Sequence, residues 1–146
     1  MSEKRIAERT SFGPSPLGYG VGNFAPGVIL LVGEQAAKPD RCENQRPFCS
    51  TKGCSGWLNN QLDILSIPES RLFWVNALNN DGTAINAVEL VDKLRPMAIV
   101  SLGKVAERIL SEQGIWWART MSHPQHWKRF HHNEPYPLIQ LLNELI

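Results

Sequence analysis

Two aliphatic segments, each ending in a glycine, most constrain what this chain can fold into. They are VILLVGE at residues 28–34 and MAIVSLG at residues 97–103. Short, mostly aliphatic runs that contain β-branched residues are typical of strands that are covered on both faces. The second run leads directly into KVAERILSEQ, whose apolar spacing predicts a helix ended by Gly114. A strand, a glycine and a helix in succession indicate an α/β fold with parallel strands.

The rest of the chain continues this alternation. We predict a helix in WLNNQLDILSI (residues 57–67), a strand in RLFWVNAL (71–78), a helix in AINAVELVDKL (84–94), a strand near WWARTMS (116–122) and a final helix in PLIQLLNELI (137–146). Together these elements predict a three-layer α/β/α domain over residues 28–146, with a central, mostly parallel four-stranded sheet. Residues 1–27 are rich in Gly and Pro and predict an irregular arm. At least one of Trp116 and Trp117 is expected in the core.

Length and charge narrow the functional classes. A chain of 146 residues matches one domain, and 15 basic against 14 acidic residues exclude a wholly basic nucleic-acid binder while permitting a local basic face. No long apolar run or secretory signal is present, so we expect a protein with no membrane partner. The odd set of three cysteines favours a reduced, cytoplasmic protein.

Polar residues follow three of the four predicted strands. Because ligands of such sheets bind at the carboxyl ends of the strands, we expect these residues to meet at one edge. They are Glu34, Gln35 and Asp40 after the first strand, Asn76 at the end of the second, and His123, Lys128 and Arg129 after the last. Phe48 is an aromatic candidate for stacking on a planar ligand. Structural roles stay open: Glu34 in a turn, Asn76 as a cap, and the basic pair as a solvated edge.

The cysteines and histidines do not favour a metal centre. Cys42, Cys49 and Cys54 lack the paired short spacing of zinc ligands. His126, His131 and His132 are explained as readily by a solvated polar segment. Among the histidines, His123 is the one that we expect to carry chemistry, because Pro124 restricts the backbone beside it at the predicted mouth of the sheet.

Five segments in order resemble the uracil-DNA glycosylase superfamily, and within it the short bacterial and archaeal branch that normally carries an iron–sulfur cluster. ILLVGEQAAKPD is similar to the strand and water-positioning loop of that branch, and RPFCSTKGCSGWLNNQLDILSI to its Arg-Pro-Phe loop and helix. LFWVNAL resembles the strand that ends in a base-reading Asn, KLRPMAIVSLGKVAERIL the third strand and helix, and SHPQHWKRF the His-Pro loop. The resemblance covers roughly residues 28–130.

The resemblance implies a role for each matching residue. Phe48 would stack on a base flipped out of DNA, Asn76 would read its Watson–Crick edge, and Gly33 would line the pocket. His123 would hydrogen-bond the charge that grows on the departing base. Glu34 and the backbone around Gln35 and Ala36 would hold the attacking water. DNA contacts would come from the His-Pro segment, through Gln125, His126, Trp127, Lys128 and Arg129. Trp127 or His126 would act as the wedge that fills the gap left in the base stack.

The chain also departs from the pattern of that branch. Gly-Glu-Gln-Ala-Ala stands where the branch has Gly-Glu-Ala/Gly-Pro-Gly, and cysteines are absent from the expected cluster positions. We therefore predict no iron–sulfur cluster and no cofactor. The expected function is a monomeric DNA glycosylase that removes uracil or another altered pyrimidine. Two alternatives stay open: a catalytically weak nucleic-acid-binding protein on the same fold, and an enzyme acting on a modified base or nucleotide.

Overall fold

The chain forms an α/β domain. The computed structural model describes residues 2–35, 46–131 and 133–146. Within these ranges the helices are α1 (Ser2–Thr10), α2 (Gly53–Ile64), α3 (Ala87–Leu94), α4 (Lys104–Glu112), α5 (Pro124–Phe130) and α6 (Pro137–Leu145). The strands are β1 (Val21–Gly22), β2 (Ile29–Gly33), β3 (Leu72–Asn76), β4 (Ala98–Leu102) and β5 (Arg119–Met121). None of these helices is long and apolar enough to cross a bilayer.

The five strands form one mixed sheet in the order β1-β3-β2-β4-β5. The four predicted strands are all present and pair with one another in parallel. The expected number was wrong, because β1 adds a fifth, antiparallel strand through the pairs Val21–Trp74 and Gly22–Phe73. This short strand covers the outer edge of β3, whose backbone groups would otherwise lack partners along that side.

The N-terminal arm is more regular than predicted. Besides β1, it contains α1, whose buried side chains include Arg5 at 7% exposure and Arg9 at 0%. Ion pairs of Arg5 and Arg9, rather than an apolar stripe, hold this helix on the domain, so hydrophobic periodicity does not reveal it. Glu69 receives both guanidinium groups, from Arg5 at 2.6 Å and from Arg9 at 2.7 Å.

Successive side chains of the central strands enter two separate cores. On one face of the sheet, Leu31 and Trp74 pack with α2 and α6 through residues such as Leu58 and Leu142. On the other face, a second cluster joins the strands to α3 and α4; it includes Leu30, Val32, Phe73, Val75, Leu90 and Ile109. Helices therefore cover both faces, as the continuous aliphatic runs predicted.

Helix α2 overlaps the helix predicted over residues 57–67, but it begins and ends earlier. The helix begins at Gly53 and buries Leu58 and Leu62. Ile64 is 70% exposed and Leu65 is 48% exposed, because the helix ends there.

The prediction that at least one of Trp116 and Trp117 lies in the core was wrong. Trp116 and Trp117 are both exposed, at 80% and 51%. The preceding Ile115, at 3% exposure, enters the core instead, and β5 begins only at Arg119. The adjacent tryptophans contact each other edge to face, with ring centroids 5.9 Å apart.

Candidate active site at the carboxyl ends of the strands

The chain connections place a crevice at the carboxyl end of β2. From β2 the chain moves to β3 on one side and then crosses to β4 on the other. A reversal of this kind opens a crevice beyond the carboxyl ends of the strands, where α/β proteins bind ligands. Gly33 ends β2, Asn76 ends β3, and Gly103 follows β4. The polar residues predicted at this edge therefore come from neighbouring strands.

Gly33 brings Asn76 and Phe48 together. The residue pairs with Asn76 across the parallel strands. A methyl group added to Gly33 would lie 2.5 Å from Phe48 Cε2 and 2.7 Å from Asn76 Oδ1. Both side chains thus depend on the missing Cβ. Among the described residues the Asn76 amide makes no hydrogen bond, so both its donor and its acceptor are available to a ligand.

A buried polar network holds the backbone of Phe48. Phe48 has a φ of +52°, which is unfavourable for a side chain of this size. Its carbonyl accepts hydrogen bonds from Arg9 Nη1 at 2.8 Å and from Asn59 Nδ2 at 2.9 Å. Arg9 also donates to Asn59 and to both carboxylate oxygens of Glu69. Three elements distant in sequence therefore fix the ring that the resemblance assigns to base stacking.

Trp74 continues this support beneath the aromatic ring. Its ring centroid lies 5.5 Å from that of Phe48, at an interplanar angle of 51°. The Arg9 guanidinium lies 4.1 Å above the Trp74 ring, and Trp74 Nε1 donates to Glu69 at 3.1 Å. These contacts satisfy the buried charges and restrict Phe48 from below.

His123 lies across from Phe48 and caps α5. The segment predicted as a loop is a helix from Pro124 onward, with proline at a favoured first position. His123 Nδ1 accepts a hydrogen bond from Gln125 N at 3.1 Å. An accepting Nδ1 assigns the proton of the neutral ring to Nε2. The ring centroids of His123 and Phe48 are 6.2 Å apart, and a methyl group on Gly103 would lie 3.1 Å from His123 Cβ.

The surroundings of His123 favour its neutral form. Burial lowers the pKa of His123 below its usual value, and the nearby Glu34 carboxylate opposes that pKa shift without cancelling it. Protonation would also replace the Nδ1 acceptor by a donor and break the cap. His123 therefore presents a neutral Nε2–H, which has no partner among the described residues.

We expect His123 to titrate below the usual histidine pKa of about 6.5. The neutral ring stabilises the fold above about pH 6.5, and this contribution is lost as the pH falls through the lowered pKa. Glu34→Gln should lower the pKa further, because it removes the opposing charge. NMR titration of the ring in wild type and in Glu34→Gln measures both values. A wild-type pKa above 6.5 would contradict the assigned cap.

Glu34 and Gln35 are both exposed, but they make different contacts. The Glu34 carboxylate has no hydrogen-bond partner among the described residues, while the Gln35 amide donates to Asn79 O at 3.0 Å and to Asn80 O at 3.4 Å. Gln35 therefore ties the end of β2 to the turn after β3. Ala36 and Asp40 lie outside the described residues.

The surface assigned to DNA is divided between exposed and anchoring residues. Gln125, His126 and Arg129 are exposed, and Lys128 is half-buried. Trp127 does not fit its expected role as a wedge, because it packs against the core and donates from Nε1 to Glu134 O at 3.1 Å. The exposed aromatic groups of α5 are instead His126 and Phe130, whose centroids lie 4.9 Å apart.

A cleft of about 520 Å³ lies on the outer side of Asn76. The N-terminal arm forms one wall through residues between Thr10 and Val21, and the turn after β3 forms another through Leu78, Asn79 and Asn80. Arg46, Pro47 and Ile85 complete the described lining. His123 does not line the cleft, so the cleft and the His123 side of the site meet at Asn76.

The cysteines have no common site in the described residues. Burial raises the pKa of both Cys49 and Cys54, which favours the neutral thiol. Cys42 and His132 lie outside the described residues, and His131 stacks on Trp127 at 4.4 Å. Over residues 2–35, 46–131 and 133–146, no group of three or more His, Cys, Asp or Glu residues is arranged to hold a metal ion.

Three parts of the site were missed from the sequence. They are the network of Arg9, Asn59 and Glu69, the contact of Gly103 with His123, and the cleft formed by the arm. The glycine after β4 was a usable signal, because a Gly at a strand end often permits a close approach of another chain segment.

Neither a scan against protein-family models nor a search of curated proteins finds a match to this chain.

Proposed function

We propose that the protein hydrolyses the N-glycosidic bond of uracil or another altered pyrimidine in DNA, after the nucleotide has flipped out of the stack. One observation carries this proposal: Phe48 and Asn76, whose amide has no hydrogen-bond partner among the described residues, meet at Gly33, and the neutral His123 ring lies 6.2 Å from the Phe48 ring. These are the groups needed to stack on a flat base, read its edge and stabilise it as a leaving group.

Base recognition would use the complementary halves of the Asn76 amide. A uracil presents an N3–H donor beside the O4 acceptor, which match the amide Oδ1 and Nδ2–H groups. Phe48 would stack on the ring face, and its fixed backbone limits the freedom lost on binding. Gly33 and Asn76 are paired residues of adjacent strands, and this pairing keeps the amide beside that platform.

The reaction breaks the bond between N1 of the base and C1′ of the sugar. The bonding electrons leave with the base, so negative charge spreads over N1 and O2 while C1′ becomes cationic. Water oxygen bonds to C1′ and loses a proton. The Nε2–H of His123 would donate to O2, where it stabilises charge that is absent from the substrate.

Glu34 would act on the water side of the bond. Its exposed carboxylate lacks a described partner and lies near enough to His123 to influence its pKa. A carboxylate in this position orients water, accepts its proton and stabilises the cationic sugar. Gln35 would serve indirectly, because its amide holds the turn that follows Asn76.

DNA would lie along the exposed side of α5. Arg129 and Lys128 would contact phosphates, with Gln125 beside them. His126 and Phe130 are the exposed aromatic pair, and they would fill the gap left by the flipped base in place of Trp127.

The direct test uses single- and double-stranded oligonucleotides that carry uracil or other altered pyrimidines. Incubation with the protein should produce abasic sites, detected as strand breaks after alkali treatment. Oligonucleotides containing only normal bases provide the background. Tight binding to every altered oligonucleotide without any abasic site would reject the glycosylase and favour the nucleic-acid-binding alternative.

Asn76→Asp should lower kcat/KM for uracil by about 10- to 100-fold, the range for losing a two-point contact to a base. The substitution keeps the side-chain shape but removes the N–H donor and adds charge opposite O4. Asn133→Asp makes the same chemical change at an exposed position beyond α5 and serves as the matched control. Equal kinetics for the two variants would remove Asn76 from base recognition.

A further inference from the structure

The cleft beside Asn76 has no part in the reaction described above. Its described lining carries amide, hydroxyl and guanidinium groups together with exposed backbone, and none of these lining residues is a carboxylic acid. The polar side chains are Thr10, Ser15, Tyr19, Arg46, Asn76, Asn79 and Asn80. Its volume of about 520 Å³ lies within the roughly 300–1,000 Å³ of pockets that hold small-molecule ligands. The space is far larger than an unsubstituted uracil edge requires.

The sheet order places this cleft next to the base-reading edge. Along the carboxyl ends of the strands, the arm before β1 comes first, followed by β3, β2 and β4. Asn76 at the end of β3 faces Gly33 on one side and lines the cleft on the other. Pro47 also lines the cleft and directly precedes Phe48 in sequence. The cleft therefore borders both the amide and the stacking platform.

The chemistry of a pyrimidine then determines which ring atom reaches the cleft. If His123 donates to O2, the next positions around the ring are N3 and O4, which Asn76 reads. The atom after C4 is C5. A base held between His123 and Asn76 thus presents C5 beyond the amide, on the side away from His123, where the cleft lies.

We infer that the cleft receives a polar substituent on C5, so that the preferred substrate is a 5-substituted uracil rather than uracil itself. This inference rests on the proposed function and names its substrate class. The amides of Asn79 and Asn80 and the hydroxyls of Thr10 and Ser15 suit a hydroxyl-rich group, such as a sugar attached through a hydroxymethyl carbon.

The test compares three oligonucleotides that differ at one base: uracil, 5-hydroxymethyluracil and 5-(β-D-glucosyloxymethyl)uracil. Release of each base by the full chain is measured as kcat/KM. We expect kcat/KM for the glucosylated base to exceed that for uracil. Asn80→Trp, which puts a large ring at the cleft wall, should lower the ratio of glucosylated base to uracil by about tenfold or more.

Asn80→Ala is the matched control, because it removes the same amide without filling the space. It should keep the ratio much closer to that of wild type than Asn80→Trp does. Equal ratios in the two variants would show that cleft volume does not select the substrate, and would overturn the inference.

The outcomes separate this inference from the proposed function. Efficient release of uracil with no release of the glucosylated base overturns the inference and leaves the glycosylase proposal standing. Release of no base from any oligonucleotide overturns the glycosylase proposal. Fluorescence anisotropy with the same oligonucleotides then tests whether the cleft binds the C5 substituent. A binding preference for the glucosylated base that Asn80→Trp abolishes keeps the cleft assignment; equal binding of all three rejects it.

Discussion

Replacing His123 with alanine is expected to lower kcat for base release by about 10²- to 10³-fold, the range for losing one oxyanion donor. The donor is the Nε2–H of the neutral ring, which is fixed because Nδ1 accepts from Gln125 N at 3.1 Å. The loss should fall on kcat more than on KM, since the charge on O2 develops only as the bond breaks. Single-turnover measurements with a uracil oligonucleotide report the chemical step.

A second variant separates the chemistry of His123 from its structural role. Asparagine is a good N-cap, so His123→Asn should keep the start of α5 while lacking the imidazole donor. We expect near-native thermal stability and the same loss of kcat. His131→Ala is the histidine control, because that ring packs on Trp127 rather than beside Phe48. Native kcat in His123→Asn would assign the residue to capping alone.

Glu69→Ala is expected to lower the free energy of unfolding by about 3–5 kcal/mol, the range for breaking a buried ion pair. Glu69 is fully buried and accepts from Arg5, Arg9 and Trp74. Its removal leaves two guanidinium groups in the interior with reduced compensation. Urea denaturation followed by tryptophan fluorescence measures the change.

Two further variants make this experiment specific. Glu69→Gln keeps the volume and some hydrogen bonds, so it should be destabilised less and remain measurable if the alanine variant does not fold. Glu112→Ala breaks an exposed pair with Arg108 at 3.9 Å and should change stability by no more than about 0.5 kcal/mol. Equal decreases in the free energy of unfolding for Glu69→Ala and Glu112→Ala would show that the buried network stabilises the fold no more than an exposed ion pair.

Apolar patterning was sufficient to predict most of the sheet. The runs ending at Gly33 and Gly103 are buried strands, and LFWVN forms β3 as expected. These segments are recognisable because burial on both faces leaves continuous aliphatic sequence. Asn76 and His123 were located for the same reason, since Asn76 ends one strand and His123 lies two residues beyond another. Glu34 was placed correctly beyond β2, while its role stays a proposal.

The N-terminal helix and the support of Phe48 were not predictable in this way. Arg9 looks like a surface residue in sequence, and its burial depends on Glu69, which lies 60 positions away. No local pattern records such a pairing. The same limit applies to α5, whose start depends on the His123 cap, and to Trp127, which is anchored by the carbonyl of Glu134.

Tyr136 determines when the site can first be assembled during translation. Its buried hydroxyl donates to Ser122 O at 2.5 Å, immediately before His123, and its ring packs on Trp57. A ribosome makes Phe48 and Asn76 long before it makes this phenol. The nascent chain can therefore form its sheet and stacking platform early, but it gains the last support of the histidine only after residue 136 has emerged. On the proposed function, catalytic competence would therefore depend on a residue made well after the stacking platform.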